Sequence, residues 1–194
     1  MFKINYLQLF FFLSLVTLMA SCTKEEESIP LNTVTKDLLV SGSDQGAFVL
    51  FNFETGNIID NAQIQSNNWD FGLKLISFMV NSGVSGPGAG GVIIQDDVFD
   101  NVKVAPATGY KTDASGNLAI KDEWYDYNST TRSFTPKAGK VFIFKTGKGN
   151  YAKMEILKGD PTDDNGVVVV PPARPTKIKY TIRYVYQPNG SVNF

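Results

Sequence analysis

Histidine is missing from all 194 residues of the chain. That absence excludes Ser-His-Asp and Cys-His nucleophilic catalysis, in which an imidazole carries the proton. It also excludes zinc sites of the usual His or Cys type and bis-histidine ligation of haem iron. Cysteine occurs once, as Cys22, so no internal disulfide forms and packing must hold the fold together. Charge is nearly balanced, with 18 basic and 19 acidic residues, and no basic excess points to nucleic acid or anionic lipid. No apolar run reaches the about 20 residues that a spanning helix requires. Beyond the first segment, no stretch keeps a helical period.

The first segment is informative in its own right. Lys3 precedes an apolar run from Leu7 to Met19, followed by the small residues Ala20 and Ser21 and then Cys22. Length and flanks fit a signal peptide over residues 1–21. Met19-Ala20-Ser21-Cys22 resembles the bacterial lipobox, whose cysteine thiol takes the lipid, so Cys22 is expected to be the lipidated N-terminus of the mature protein, held to membrane lipid. The acidic run Glu25-Glu26-Glu27 opens a polar tether over residues 22–35 and resembles an export signal that places lipoproteins on the outer surface of the outer membrane. Residues 36–194 are read as one domain, long enough to bury a core.

The domain reads as strands. Aromatics make up 12% of the chain, a composition that suits strands. Ala47–Phe53 and Ile58-Ile59 flank the turn residues Glu54-Thr55-Gly56-Asn57, which predicts a hairpin. Trp69, Phe71, Leu73 and Leu75 alternate onto one face, and the phase then slips to Ile76, Phe78 and Val80, which predicts a bulge or a strand covered on both faces. Residues 81–91 carry five glycines without the Gly-Lys-Ser/Thr of a phosphate loop, and read as a flexible or tightly turned connection. Asp96, Asp97 and Asp100 lack calcium-loop spacing, so a short helical turn is expected there and no metal site. Val141–Lys145 and Tyr151–Leu157 predict a second hairpin, with Met154 in the core. Val167–Val170 reads as a short edge strand. Lys177–Tyr186 alternates throughout, with Ile178, Tyr180, Ile182 and Tyr184 on one face. Short strands punctuated by Gly and Pro imply an all-β, antiparallel, sandwich-like domain.

An ordered series of segments is similar to the HmuY family of haem-binding lipoproteins. The series comprises the Phe51–Ile59 hairpin with its Thr55-Gly56 turn, Asn68-Trp69-Asp70, Asn81-Ser82-Gly83, Ser85-Gly86 and Gly90-Gly91. It continues with Val104-Ala105-Pro106, Gly109-Tyr110, Val141-Phe142-Ile143 and Tyr151-Ala152-Lys153. The resemblance runs from about Phe48 to the C-terminus. It implies a β domain with projecting hairpin loops and few short helices that clamps haem and passes it to an outer-membrane receptor, and so a binder in iron acquisition, not an enzyme. In the family's founding type two histidines hold the iron, and relatives use methionine.

This chain departs from that pattern at the ligands. The finger before Trp124 is short, over Asn117–Glu123, and Asn128-Ser129 stands near the second ligand position. Trp124, Tyr125 and Tyr127 become the candidates for contact with haem or porphyrin, since aromatic faces stack on the ring and tyrosine can ligate iron. Met79 and Met154 are the alternative axial ligands. Two further readings remain: a scaffold that has lost haem and serves as an accessory of an uptake system or binds another ligand, and a hydrolase using Glu123 and Asp126.

Overall fold

The computed structural model describes residues 30–130, 133–170 and 173–194. The signal segment and Cys22 lie outside them. In chain order the strands are β1 (Val34–Ser41), β2 (Val49–Asn52), β3 (Asn57–Ile59), β4 (Phe71–Lys74), β5 (Ser77–Val80) and β6 (Gly91–Asp96). They continue with β7 (Tyr125–Asn128), β8 (Ser133–Pro136), β9 (Lys140–Lys145), β10 (Tyr151–Thr162) and β11 (Lys177–Gln187). Two sheets, ordered β1-β11-β10-β9-β6 and β3-β2-β4-β5, form the sandwich, and β7-β8 pair only with each other. Every named pairing is antiparallel.

The core follows from alternation. Ile178, Tyr180, Ile182 and Tyr184 of β11 point inward with Phe142 and Phe144 of β9 and Met154 of β10, and they meet Phe51, Phe71, Leu73 and Phe78 of the smaller sheet. The rings pack tilted, edge-on or stacked, as between Phe71 and Phe144 at 5.5 Å. β9 is apolar on both faces because each has a cover. Its Val141 and Ile143 turn outward with Val185 and are closed over by Phe99, Val102 and Ala105. Lys153 on that outer face is therefore buried too. Its ammonium donates to the carbonyls of Phe99 at 3.0 Å and Val102 at 2.7 Å and lies over the rings of Phe99 and Phe194. Burial pulls its pKa below the usual lysine range.

Several expectations are corrected. The phase slip after Leu75 is neither a bulge nor a strand covered on both faces but a hairpin turn between β4 and β5, with Leu75 in the left-handed region at φ 45°. Two hydrogen bonds hold that unfavourable backbone: Leu75 N–H donates to Ser41 O at 2.6 Å, and the Tyr180 hydroxyl donates to Leu75 O at 2.7 Å. Trp69 does not share the face of Phe71; it packs outward with Leu50 and Met79. The segment after Asp97 forms a hydrogen-bonded turn from Val98 to Asn101 and not a helix. Val167–Val170 contributes a single bridge, Val168 to Thr162. β1 begins at Val34, ahead of the expected domain start at 36. A bulge does occur in β10, where the register shifts between Ile156 and Lys158.

Candidate functional site

The β7–β8 ribbon carries the candidate aromatic residues. In its register Tyr125 faces Pro136 and Tyr127 faces Phe134, so alternation places Tyr125, Tyr127, Phe134 and Pro136 on one face. Asp126 is on the other, ion-paired to Lys137 at 3.4 Å. Trp124, just ahead of β7, is the ribbon's root. Its side chain is 1% exposed and lies edge-on to Phe78, Tyr125, Phe142 and Tyr180 at ring separations of 5.0–6.3 Å. Its carbonyl accepts the Lys137 N–H at 2.9 Å. Trp124 Nε1 is buried and finds no hydrogen-bond partner among the described residues.

Along the ribbon the support runs out. Tyr125 and Phe134 are half-buried against the core and meet edge-on at 6.1 Å. Tyr127, on the same face, is 58% exposed. The aromatic face thus starts inside the sandwich and ends in solvent. Burial first, and then the charge of Asp122, raise the Tyr125 phenol above its ordinary pKa, so it keeps its proton. Glu123 and Asp126 are engaged by different partners: Glu123 accepts the Lys121 N–H at 3.0 Å, and Asp126 is ion-paired to Lys137.

The two methionines are placed apart. Met79 lies in the outward cluster of the smaller sheet with Leu50 and Trp69, and Met154 lies fully buried in the core between the sheets. They belong to different sheets and different clusters, so the structure does not bring them to one ligand. With no histidine in the chain, the described residues offer aromatic faces for a porphyrin but no axial pair for its iron. The residues therefore do not fit a doubly ligated haem.

The most densely bonded polar residues lie at the opposite end and were not singled out from the sequence as site candidates. Asp70 accepts the Phe53 N–H at 2.7 Å and the Gly147 N–H at 3.1 Å, tying the smaller sheet to the β9–β10 turn. Burial raises its pKa to about 6, against the opposing pull of those two N–H groups and Lys148. Asn81 donates to Ser66 O at 2.9 Å and Trp69 O at 2.8 Å and accepts the Gly88 N–H at 2.9 Å. Asp113 accepts from Val80 and Ala119, each at 2.8 Å. The glycine-rich loop is a tightly turned collar around Asn81. A Cβ on Gly83, at φ 59°, would stand 1.9 Å from Asp113 O, and one on Gly86 would stand 2.3 Å from Asn81 Oδ1. The legible signal was the segments Asn68-Trp69-Asp70 and Asn81-Ser82-Gly83 themselves, which this knot draws together.

Comparison with known proteins agrees with this architecture. The HmuY protein family matches residues 44–169, from ahead of β2 into the Val167–Val170 segment. Among solved structures the chain is similar to the apo HmuY analog TFO of Tannerella forsythia, at 16% identity and TM-score 0.53 over 81% of this chain and 98% of that one. It is also similar to apo PinO of Porphyromonas gingivitis, at 13% identity and TM-score 0.50 over 81% and 98%. At such identities the likeness establishes the fold alone. No curated protein sequence matches the chain.

Proposed function

The chain belongs to the HmuY family, and on that premise we propose that it is a lipid-anchored surface protein that binds haem or a related porphyrin on the aromatic face of the β7–β8 ribbon. The observation that carries the reading is the run of aromatic residues from the buried Trp124 through Tyr125 and Phe134 to the exposed Tyr127. A planar ring laid on that face would stack on Tyr127 and reach the edges of Tyr125 and Phe134, with Trp124 fixing the ribbon from below. HmuY-family proteins are binding proteins and not enzymes, and an enzymatic role is not proposed. The anchor is Cys22, with residues 1–21 removed, residues 22–35 as tether and the outer membrane as location. The partner that takes the ligand onward is an outer-membrane receptor.

Affinity should be modest. Losing the two iron ligands of a committed haem carrier costs several kcal/mol, and each 1.4 kcal/mol is about tenfold in affinity. Haemin titrated into the purified mature protein should quench tryptophan fluorescence with a dissociation constant of about micromolar order, without a low-spin bis-histidine spectrum. A sharp Soret band at stoichiometric haemin with nanomolar affinity would mean that Met79, Met154 or another group ligates the iron. Unchanged absorbance and fluorescence would sink the reading. The second reading, a scaffold that has given up haem and serves another ligand or an uptake complex, would then replace it. The burial of Met79 and Met154 in separate clusters favours that alternative. Cys22→Ser tests the anchor: the variant should leave the membrane fraction or remain unprocessed, and normal cleavage with wild-type membrane retention would refute it.

A further inference from the structure

Resting on the porphyrin reading above, we propose that the ribbon recognises the ring and not its iron, so that metal-free porphyrins are ligands on the same footing as haem. The chain has few electron-pair donors for a metal and an ample aromatic face for a ring. Histidine is absent. The Met79 methyl is packed over Gly72, 2.7 Å from where a Cβ would stand there, on the outward side of the smaller sheet. Met154 has no exposed surface and faces the inter-sheet core. One metal cannot be reached from both.

The phenols are no better placed to hold iron. The Tyr180 hydroxyl is engaged with Leu75 O, and the Tyr186 oxygen accepts from Asn150 Nδ2. Tyr125 is wedged between Trp124 and Phe134, and its raised pKa disfavours the phenolate that would bind ferric iron. Tyr127 alone presents a free ring to solvent on the candidate face, and one residue cannot supply two axial ligands. What the ribbon offers in quantity is π surface, and every porphyrin carries that surface whether or not a metal sits at its centre. Stacking energy of this kind is set by ring overlap and desolvation, to which the metal adds little.

The test compares haemin, protoporphyrin IX and zinc protoporphyrin on the purified mature protein, read by tryptophan quenching. Dissociation constants for the three should agree within about threefold, a spread of well under 1 kcal/mol. Tyr127→Ala should weaken all three together, by about fivefold for the loss of one aromatic contact. Tyr127→Phe, which keeps the ring and removes the phenol oxygen, should move the three constants in parallel. Haemin binding more than about tenfold tighter than protoporphyrin IX, or a Tyr127→Phe loss confined to haemin, overturns ring recognition while leaving the porphyrin reading standing. If none of the three binds, both fall together.

Discussion

At the end of the sandwich where β9 turns into β10, Asp70, Asn81 and Asp113 each bond two or more backbone groups, at least one of them from a distant part of the chain, and glycines crowd in so closely that a methyl group would collide with backbone oxygen. At the opposite end, where β4 turns into β5, a two-stranded ribbon is held mainly by aromatic edges, and its outermost tyrosine meets water. The first end is specified by directional bonds to particular atoms, so few residue types can fill each position. The second is held by ring edges, which are less directional than hydrogen bonds. This difference explains why the family is recognisable while the ligand is not. Of the segments that carry the resemblance, Asn68-Trp69-Asp70 and Asn81-Ser82-Gly83 build the knot, and none lies in the ribbon that would touch a ligand.

The contrast can be broken most severely at Asn81. Asn81→Ala strands the buried carbonyl of Trp69 and the part-buried Ser66 carbonyl and Gly88 N–H, and should cost about 3 kcal/mol in urea unfolding. A loss under about 1 kcal/mol would show that the knot is not what specifies that end. Next comes Asp70. Its folded pKa of about 6 lies above the ordinary 3.8, so the folded state binds the proton more tightly than the unfolded one. Its contribution to stability is therefore greatest below pH 3.8 and is lost as pH rises through about 6. The whole span is of order 3 kcal/mol. Asp70→Asn should flatten that part of the stability–pH curve, and an unchanged slope between these limits would refute the assignment.

Smaller effects belong to the ribbon. Tyr125→Ala removes the edge contacts to Trp124 and Phe134 and should cost about 1.5 kcal/mol. Hydrogen exchange should accelerate in β7 and β8 while the amides of Phe53 and Gly147 keep their protection; equal acceleration at both ends would mean the two are not independent. Least of all, Tyr127→Ala should change stability by under about 0.5 kcal/mol, even as it weakens porphyrin binding. A larger loss would move Tyr127 from the ligand face into the supporting core.

How far these features could be read from residues follows the same division. β11 was legible because Ile178, Tyr180, Ile182 and Tyr184 alternate without interruption, and β9–β10 because Gly147-Lys148-Gly149-Asn150 separates two apolar runs. The β4–β5 turn was hidden because apolar Leu75 and Ile76 occupy it; only the tertiary bonds from Ser41 and Tyr180 force a leucine into that backbone. β1 was missed because its first residues, Val34 and Thr35, read as the end of the tether and Lys36-Asp37 interrupt the apolar pattern, although the register with Tyr184, Arg183, Ile182 and Thr181 pairs all four in the sheet. Trp124 and Tyr127 look alike in the string Trp124-Tyr125-Asp126-Tyr127, since alternation assigns a face but cannot say where the underlying core ends.

The direction of β1 has a consequence for geography. Its first residue, Val34, pairs with Tyr184, and its last, Ser41, pairs with Lys177, so the chain comes into the sandwich at the knot and climbs toward the ribbon. Leu31 packs against the outer-face cluster that includes Phe99, Val102 and Val185. Eight strand residues rise about 26 Å. The segment that leads into the domain and the ribbon that would meet a ligand therefore stand at opposite ends of the larger sheet, set apart by the length of its first strand.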